Sequence, residues 1–197
     1  MSDRTQSKEL SQELLYHLDD TDVLKQLLLN GADINYQNDK GWSLLFEAIS
    51  SGDAVALMRV LELGATIDIR DIKGRNALFW VIYYGHPHLL GILGDMGFDF
   101  SQDVYPGLPA LHYATFKEDA LTITKLIKMG ISINTQDKHG VTALMIAVMY
   151  KRINMIQFLC SHHANIFQKD YQGESALSLA KSYRLEKYFQ PYLKGLL

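Results

Sequence analysis

Apolar residues recur along this chain at one fixed interval. Leu45, Leu78, Leu111, Leu144 and Leu177 are each 33 residues apart, and so are Ala48, Val81, Ala114, Ala147 and Ala180. A third series, Ile34, Ile67, Phe100, Ile133 and Ile166, keeps the same register. Glycines punctuate the pattern. Gly41, Gly74, Gly107, Gly140 and Gly173 hold the spacing, and Gly31, Gly64, Gly97 and Gly130 hold it again until His163 takes the next place. Several residue types staying in step without an insertion define an internal repeat of one supersecondary unit.

Within a period the pattern reads as turn, helix, helix and loop. In the stretch from Asp137, the segment Asp137-Lys138-His139-Gly140 is polar and ends in a glycine that can take a positive φ. Thr142 then stands where an N-cap hydroxyl meets the free amides of a helix start. Ala143, Leu144 and Ala147 form an apolar stripe whose small members let a neighbouring helix come close. A second helix is predicted from about Asn154 to Ser161, burying Ile156, Leu159 and Cys160. Leu57, Val60 and Leu61 are the equivalent stripe in one earlier repeat, and Ile123, Leu126 and Ile127 in another. Gly130 is placed to end its helix in the left-handed conformation.

Composition narrows the function classes. The chain of 197 residues is long enough for a real core, and its formal net charge of -3 with 21% charged residues carries no basic excess or Lys/Arg-rich arm of the kind that binds nucleic acid. No run of about 18 apolar residues exists to span a membrane. The polar start, MSDRTQSKELSQELL, lacks the apolar core of a secretory signal. Cys160 is the single cysteine, so no disulfide can form within the chain. These features lead us to expect a cytoplasmic protein with no membrane or nucleic-acid partner; the sequence leaves the oligomeric state open, with a monomer favoured.

Thr-Pro-Leu-His-x-Ala at the first helix, repeated every 33 residues, is the signature of ankyrin repeats. The chain resembles it at Pro109-Ala-Leu-His112-Tyr-Ala114, at Thr142-Ala-Leu-Met-Ile-Ala147 and at Ser175-Ala-Leu-Ser-Leu-Ala180. The family's Gly-Ala-Asp-Val-Asn tail is similar to Gly31-Ala-Asp-Ile-Asn35, and more loosely to Gly64-Ala-Thr-Ile-Asp68 and Gly130-Ile-Ser-Ile-Asn134. The resemblance covers about residues 5 to 197. It implies an all-α ankyrin-repeat solenoid of stacked helix-turn-helix units with short β-turn fingers. The expected divisions are an N-terminal capping repeat at 1–37, internal repeats at 38–70, 71–103, 104–136 and 137–169, and a C-terminal capping repeat at 170–197. Each repeat would bury its core only against its neighbours, so the ends need polar outer faces.

Two repeats depart from the pattern. Gly91 and Gly94 fall inside a second helix, where each glycine costs roughly 1 kcal/mol relative to alanine. They are read as making room for Trp80 or Phe98, with a soft joint as the other possibility. The repeat from Val104 lacks the leading Asp and has Tyr105-Pro106-Gly107-Leu108-Pro109 instead, a stiffer and more apolar finger.

Catalytic motifs are absent from this pattern. Gly91-x-x-Gly94-x-x-Gly97 has the wrong spacing for a dinucleotide turn, and no Gly-x-Ser-x-Gly elbow occurs. Cys160 lies on an apolar stripe and is read as core. His86-Pro87-His88 and His162-His163 lack the converging ligands of a structural metal site. His86 takes the place of the family's Gly-His at the second helix, and His163 that of a C-cap glycine. The resemblance makes His112 a hydrogen-bonding tie between adjacent repeats. Asp19-Asp20 and Glu118-Asp119 fall in turns or at helix starts, where negative charge suits the helix dipole. No enzymatic activity, metal or cofactor is expected.

The resemblance places function on a concave face built from the fingers and the exposed side of each first helix. In this register the fingers present Trp42, Arg75, Tyr105, Leu108 and Tyr171, and the helix ends present Tyr83, Tyr84, Phe116, Lys117, Met149, Tyr150 and Tyr183. Trp80 and Tyr113 are read as lying nearer the core. Aromatic residues, methionine and arginine are the types enriched at protein interfaces. The expected function is therefore binding of a partner protein by an inhibitor, adaptor or immunity protein. Tyr83, Tyr84, Phe116 and Tyr150 are the expected anchors, with Arg75 and Lys117 steering towards acidic groups. The alternatives are a secreted effector that binds a host protein and a carrier of a small ligand or cofactor, the last requiring a closed pocket.

Overall fold

The computed structural model describes residues 2–193, with side chains described from 5 to 193. Residues 194–197, the end of the last expected repeat, lie outside the described residues. The chain forms two compact units, 1–99 and 100–197.

The first unit contains α1 (Ser2–Glu13), α2 (Thr21–Leu29), α3 (Leu44–Ser51), α4 (Ala54–Glu62), α5 (Ala77–Tyr84) and α6 (Leu90–Asp95). The second contains α7 (Ala110–Phe116), α8 (Ala120–Lys128), α9 (Ala143–Met149), α10 (Ile153–Ser161), α11 (Ala176–Ser182) and the short α12 (Gln190–Leu193). Among the described residues no β-strand forms beyond isolated bridges such as Gln136 with Thr142 and Lys169 with Ser175. The architecture is all-α: helix-turn-helix repeats joined by fingers. Inner helices stack on inner helices, α3 on α5 in the first unit and α9 between α7 and α11 in the second, while α4 and α10 cover them from outside.

Local chemistry starts each element. Ser43, Asn76, Thr142 and Ser175 stand one register apart or a multiple of it, and each side chain accepts the amide of the third helical residue of its inner helix. Pro109 breaks the series and makes no side-chain cap. Asp20, Asp53 and Asp119 cap α2, α4 and α8 in the same way. The repeating leucines follow suit: Leu45, Leu78, Leu111 and Leu144 are all buried, as are Ala48, Val81, Ala114, Ala147 and Ala180.

The fingers are built on one carboxylate or amide each. Asn38 Oδ1 accepts the amides of Lys40 and Trp42, Asp71 Oδ1 those of Lys73 and Arg75, Asp137 Oδ1 those of His139 and Val141, and Asp170 Oδ1 those of Gln172 and Glu174. In the finger that lacks this leading residue, Asp103 substitutes from one position earlier and accepts the Gly107 amide at 3.0 Å. Fingers then join along the stack. Gln37 Nε2 donates to Gly41 O and Arg70 O in the first unit, and Gln136 Nε2 donates to Gly140 O and Lys169 O in the second. Gly41 and Gly140 sit at these joints with φ of 71° and 79°. A Cβ at Gly41 would lie 2.3 Å from Ile72 N, and one at Gly140 2.8 Å from Tyr171 N.

Histidines tie repeats together. His112 Nε2 donates to Val141 O at 2.7 Å, as the resemblance implies. His86 and His88 reach back to Ser50 O and Gly52 O. His163 takes the left-handed conformation, φ 63°, in the place of the glycine.

The expectation that Gly91 makes room for a bulky neighbour is overturned. Both Gly91 and Gly94 are solvent-exposed, and a Cβ at Gly91 would meet nothing within 4 Å. Leu90 and Leu93, not the glycines, face the core, and α6 is a six-residue helix entered through the 3-10 turn Pro87–Leu89. The glycines lower the helix propensity of a segment that tertiary packing holds in place.

Two outcomes follow from this packing. Gly140→Ala is expected to lose roughly 1–3 kcal/mol more stability than Gly130→Ala, because both have positive φ but only Gly140 has backbone against it; urea midpoints measure the difference. His112 is buried and its affinity for a proton is lowered below the ordinary value of 6.5, chiefly by desolvation, against opposing effects of the Val141 carbonyl, Asp137 and Asp103. Below about pH 6.5 the unfolded chain therefore binds a proton that the folded chain refuses, so stability falls with decreasing pH by up to about 1.4 kcal/mol per pH unit. His112→Gln should flatten that limb in denaturation curves collected across the pH range; an unchanged slope would contradict the assignment.

Candidate protein-binding face

In the first unit the aromatic face is built around a buried tryptophan. Trp80, on α5, is 6% exposed. Trp42, delivered by the preceding finger, meets it edge-on with ring centroids 4.9 Å apart, and Phe46 and Phe79 flank it. Trp42 Nε1 donates to Glu47 Oε2 at 2.7 Å, which fixes the half-buried indole. Trp80 Nε1 is buried without a hydrogen-bond partner, so ring packing holds this residue. Tyr83 packs edge-on against Trp80 and Tyr84 stacks over it.

Arg75, expected to steer a partner by its charge, is occupied within the chain. Its Nε donates to Asp71 Oδ2 at 2.5 Å, and its guanidinium lies 4.2 Å from the Trp80 ring centroid. Asp71 is itself buried and caps the finger with its other oxygen. Arg75 thus clamps finger to helix, and its charge is largely answered by Asp71. Asn38, Lys40, Trp42, Arg75, Trp80 and Tyr84 bound a depression of about 410 Å³ that is open to solvent. The Tyr84 hydroxyl holds its proton more tightly than usual, through burial first and then the neighbouring Tyr83 and Glu47.

The second unit carries the remaining expected residues. Phe116 and Tyr150, at the ends of α7 and α9, meet edge-on at 5.2 Å. Lys117 is the exposed C-cap of α7. Tyr183 follows α11, and Lys151 Nζ lies 5.9 Å from its ring. Tyr105 and Leu108 face each other within one finger, with Tyr105 exposed and Leu108 half-buried. Tyr171 is exposed on the last finger, where its amide donates to His139 O. Met149, half-buried, lines a depression of about 380 Å³ with Val141, Met145 and Leu179. Tyr83, Tyr84, Phe116 and Tyr150, the expected anchors, are 39–54% exposed.

Lys151 and Arg184, exposed beside Tyr150 and Tyr183, are not among the residues that the repeat register placed on the face. Gly52, Gly85, Glu118, Lys151 and Arg184 occupy one register position, just past the inner helix, and all have positive φ. For the three non-glycine residues this conformation costs roughly 1–2 kcal/mol each. Glu118 pairs with Arg152 of the next repeat at 2.8 Å. The replacement of glycine by charged residues at this register is the signal that could have found them.

Among the described residues no group of three or more His, Cys, Asp or Glu converges, and no helix is long and apolar enough to cross a membrane. Burial pushes the Cys160 thiol up to about 12, which keeps it protonated and unreactive. The carboxylates of Asp20 and Asp119 are occupied as helix caps.

Stacked helix pairs, fingers and the histidine ties define an ankyrin-repeat protein. The family model for ankyrin repeats (three copies) matches residues 14–104, 93–170 and 111–190, and the chain belongs to that family. Ankyrin repeats are protein-binding modules. The chain is 37% identical over 71 residues to the probable E3 ubiquitin-protein ligase XBOS32 of Oryza sativa subsp. japonica, covering 36% of this chain and 14% of that protein. It is 24% identical over 174 residues to the putative ankyrin repeat protein L371 of Acanthamoeba polyphaga mimivirus, covering 83% of this chain and 22% of that one. It thus spans less than a quarter of either relative's length. Among solved structures, the ankyrin repeat domain of Bcl-3, a member of the IkappaB family, superposes with a TM-score of 0.81 at 25% identity, covering 92% of this chain and 84% of that one. A chain from the complex of the Bdellovibrio bacteriovorus predatory endopeptidase Bd0816 with the immunity protein Bd3460 has a TM-score of 0.71 at 22% identity, covering 90% and 96%; it shares the fold.

Core and surface aromatics should separate on substitution. Trp80→Ala is expected to cost about 3–5 kcal/mol, as for a buried aromatic, whereas Tyr150→Ala should cost about 1 kcal/mol or less. Guanidinium denaturation of the two variants checks this, and comparable losses would show that Tyr150 is structural.

Proposed function

We propose that this chain is a non-enzymatic protein-binding module that engages a partner protein through the fingers and inner-helix ends of its units. The observation that carries this reading is the half-exposed aromatic side chains that each unit sets at its own inner-helix ends. Tyr83 and Tyr84 stand over the Trp42–Trp80 cluster, and Phe116 pairs with Tyr150. Such side chains lose little conformational entropy on binding and offer a large apolar area, which is why a few of them dominate interface energies. Family membership supports the same class of function.

A module that binds without chemistry acts on its partner by covering a surface. Inhibitor, adaptor and immunity protein are the forms of that action we propose. The alternative of a small-ligand carrier calls for an enclosed pocket, and the depression beside Trp80 is an open one.

The test uses the chain as bait in its native lysate beside a folded Tyr83→Ala/Phe116→Ala/Tyr150→Ala variant. Loss of one specific partner, by about 2 kcal/mol or more in subsequent affinity measurements, is expected. Equal capture by both proteins would rule out the aromatic face.

A further inference from the structure

The second unit differs from the first in where its charges stand. Residues 100–197 contain eleven Lys and Arg against seven Asp and Glu, a net charge of +4. Six of those seven carboxylates are engaged locally. Asp103, Asp137 and Asp170 accept finger amides, Asp119 caps α8, Glu118 pairs with Arg152, and Glu174 accepts the Ser178 hydroxyl. They are held to the backbone or to a neighbour in fixed positions. Cations, by contrast, project beside the exposed aromatics. Lys151 directly follows Tyr150 and lies over Tyr183, and Arg184 directly follows Tyr183; all four are exposed.

The backbone underlines the choice of residue. The equivalent positions in the first unit, Gly52 and Gly85, are glycines, which adopt positive φ without strain. Lys151 and Arg184 hold φ of 54° and 60° at the same register. Glu118 holds the same conformation but is paired with Arg152, so among the described residues the two cations are the side chains that this strained register presents in the second unit without a carboxylate partner.

We infer that the inner-helix edge of the second unit, formed by Phe116, Tyr150, Lys151, Tyr183 and Arg184, docks an acidic segment of the partner protein that also carries an apolar side chain. The inference rests on the protein-binding reading above and gives it a chemistry. The aromatic rings take the apolar side chain, and Lys151 and Arg184 flank them to meet carboxylates, with net positive charge steering the approach.

The test selects binders from a random peptide display library with the full chain as bait. It is repeated with Lys151→Glu/Arg184→Glu, a double charge reversal whose backbone is admissible because Glu118 already holds the same conformation. Enrichment of peptides rich in Asp and Glu around an aromatic or aliphatic residue is expected. Their affinity should fall at least about tenfold in the reversal variant, and should weaken as salt is raised. Circular dichroism melts confirm that the variant is folded, and if it is not, Lys151→Gln alone replaces it. Enrichment of peptides without an acidic excess, or acidic peptides indifferent to the reversal, overturns the acidic assignment while leaving protein binding intact. No enrichment at all overturns both. A labelled single-stranded oligonucleotide that binds more tightly than the selected peptides also overturns the inference, since the basic edge would then serve nucleic acid.

Discussion

The tightest constraint in each unit lies where one finger passes the next. Gly41 and Gly140 turn their fingers with positive φ, and the backbone of the following finger occupies the space where a Cβ would stand. Gln37 and Gln136 bridge the same joints, each donating to two carbonyls of successive fingers. Close approach without a side chain lets the amide groups pair across repeats, and that pairing sets how far apart the inner helices can lie. The small residues at Ala48, Ala77, Ala114, Ala147 and Ala180 match this short spacing on the helical side, where they are buried between helices. A repeat cannot bury this surface alone, so the joints and the helix stack stand or fall together.

That geometry also explains what the face can present. Once fingers and inner helices are held at a fixed spacing, side chains about one register apart, 32 to 34 residues, become neighbours in space. Phe116 reaches Tyr150, Lys151 reaches Tyr183, and Glu118 reaches Arg152. In the first unit a finger brings Trp42 onto Trp80 of the next repeat, and Tyr84 stacks on Trp80 within α5. The two units nevertheless carry different electrostatics. Residues 1–99 hold eight Lys and Arg against fifteen Asp and Glu, a net -7, and the face there has its arginine paired with Asp71. Residues 100–197 are net positive, with cations standing next to the rings. Each unit thus carries its own aromatic residues with its own charge.

Much of the fold was legible in the sequence because the repeat oversamples it. Thr142 as an N-cap, the second helix ending at Ser161, Trp80 in the core and His112 as a tie between repeats all match the structure. The failures share a cause. Gly91 was read as a packing glycine, but a six-residue helix entered through a 3-10 turn faces it to solvent, and only three-dimensional placement could show that. Asp103 was overlooked because it takes over a finger cap from one residue outside the register. Arg75 was read as a surface charge, although Asp71 stands four residues before it and, once folded, accepts its Nε.

The period, the element order and the capped helix starts are fixed by residue spacing alone. These are local or strictly periodic properties, carried by spacing and by the chemistry of single turns. Tertiary structure decided which side chains of the fingers and helix ends keep their freedom. Trp42 is fixed by Glu47 and Arg75 is neutralised by Asp71, whereas Tyr150, Lys151 and Arg184 remain exposed. Whether a group is occupied depends on partners brought close by folding and on backbone angles that no residue type alone dictates, as Lys151 and Arg184 show by standing where glycine would fit without strain.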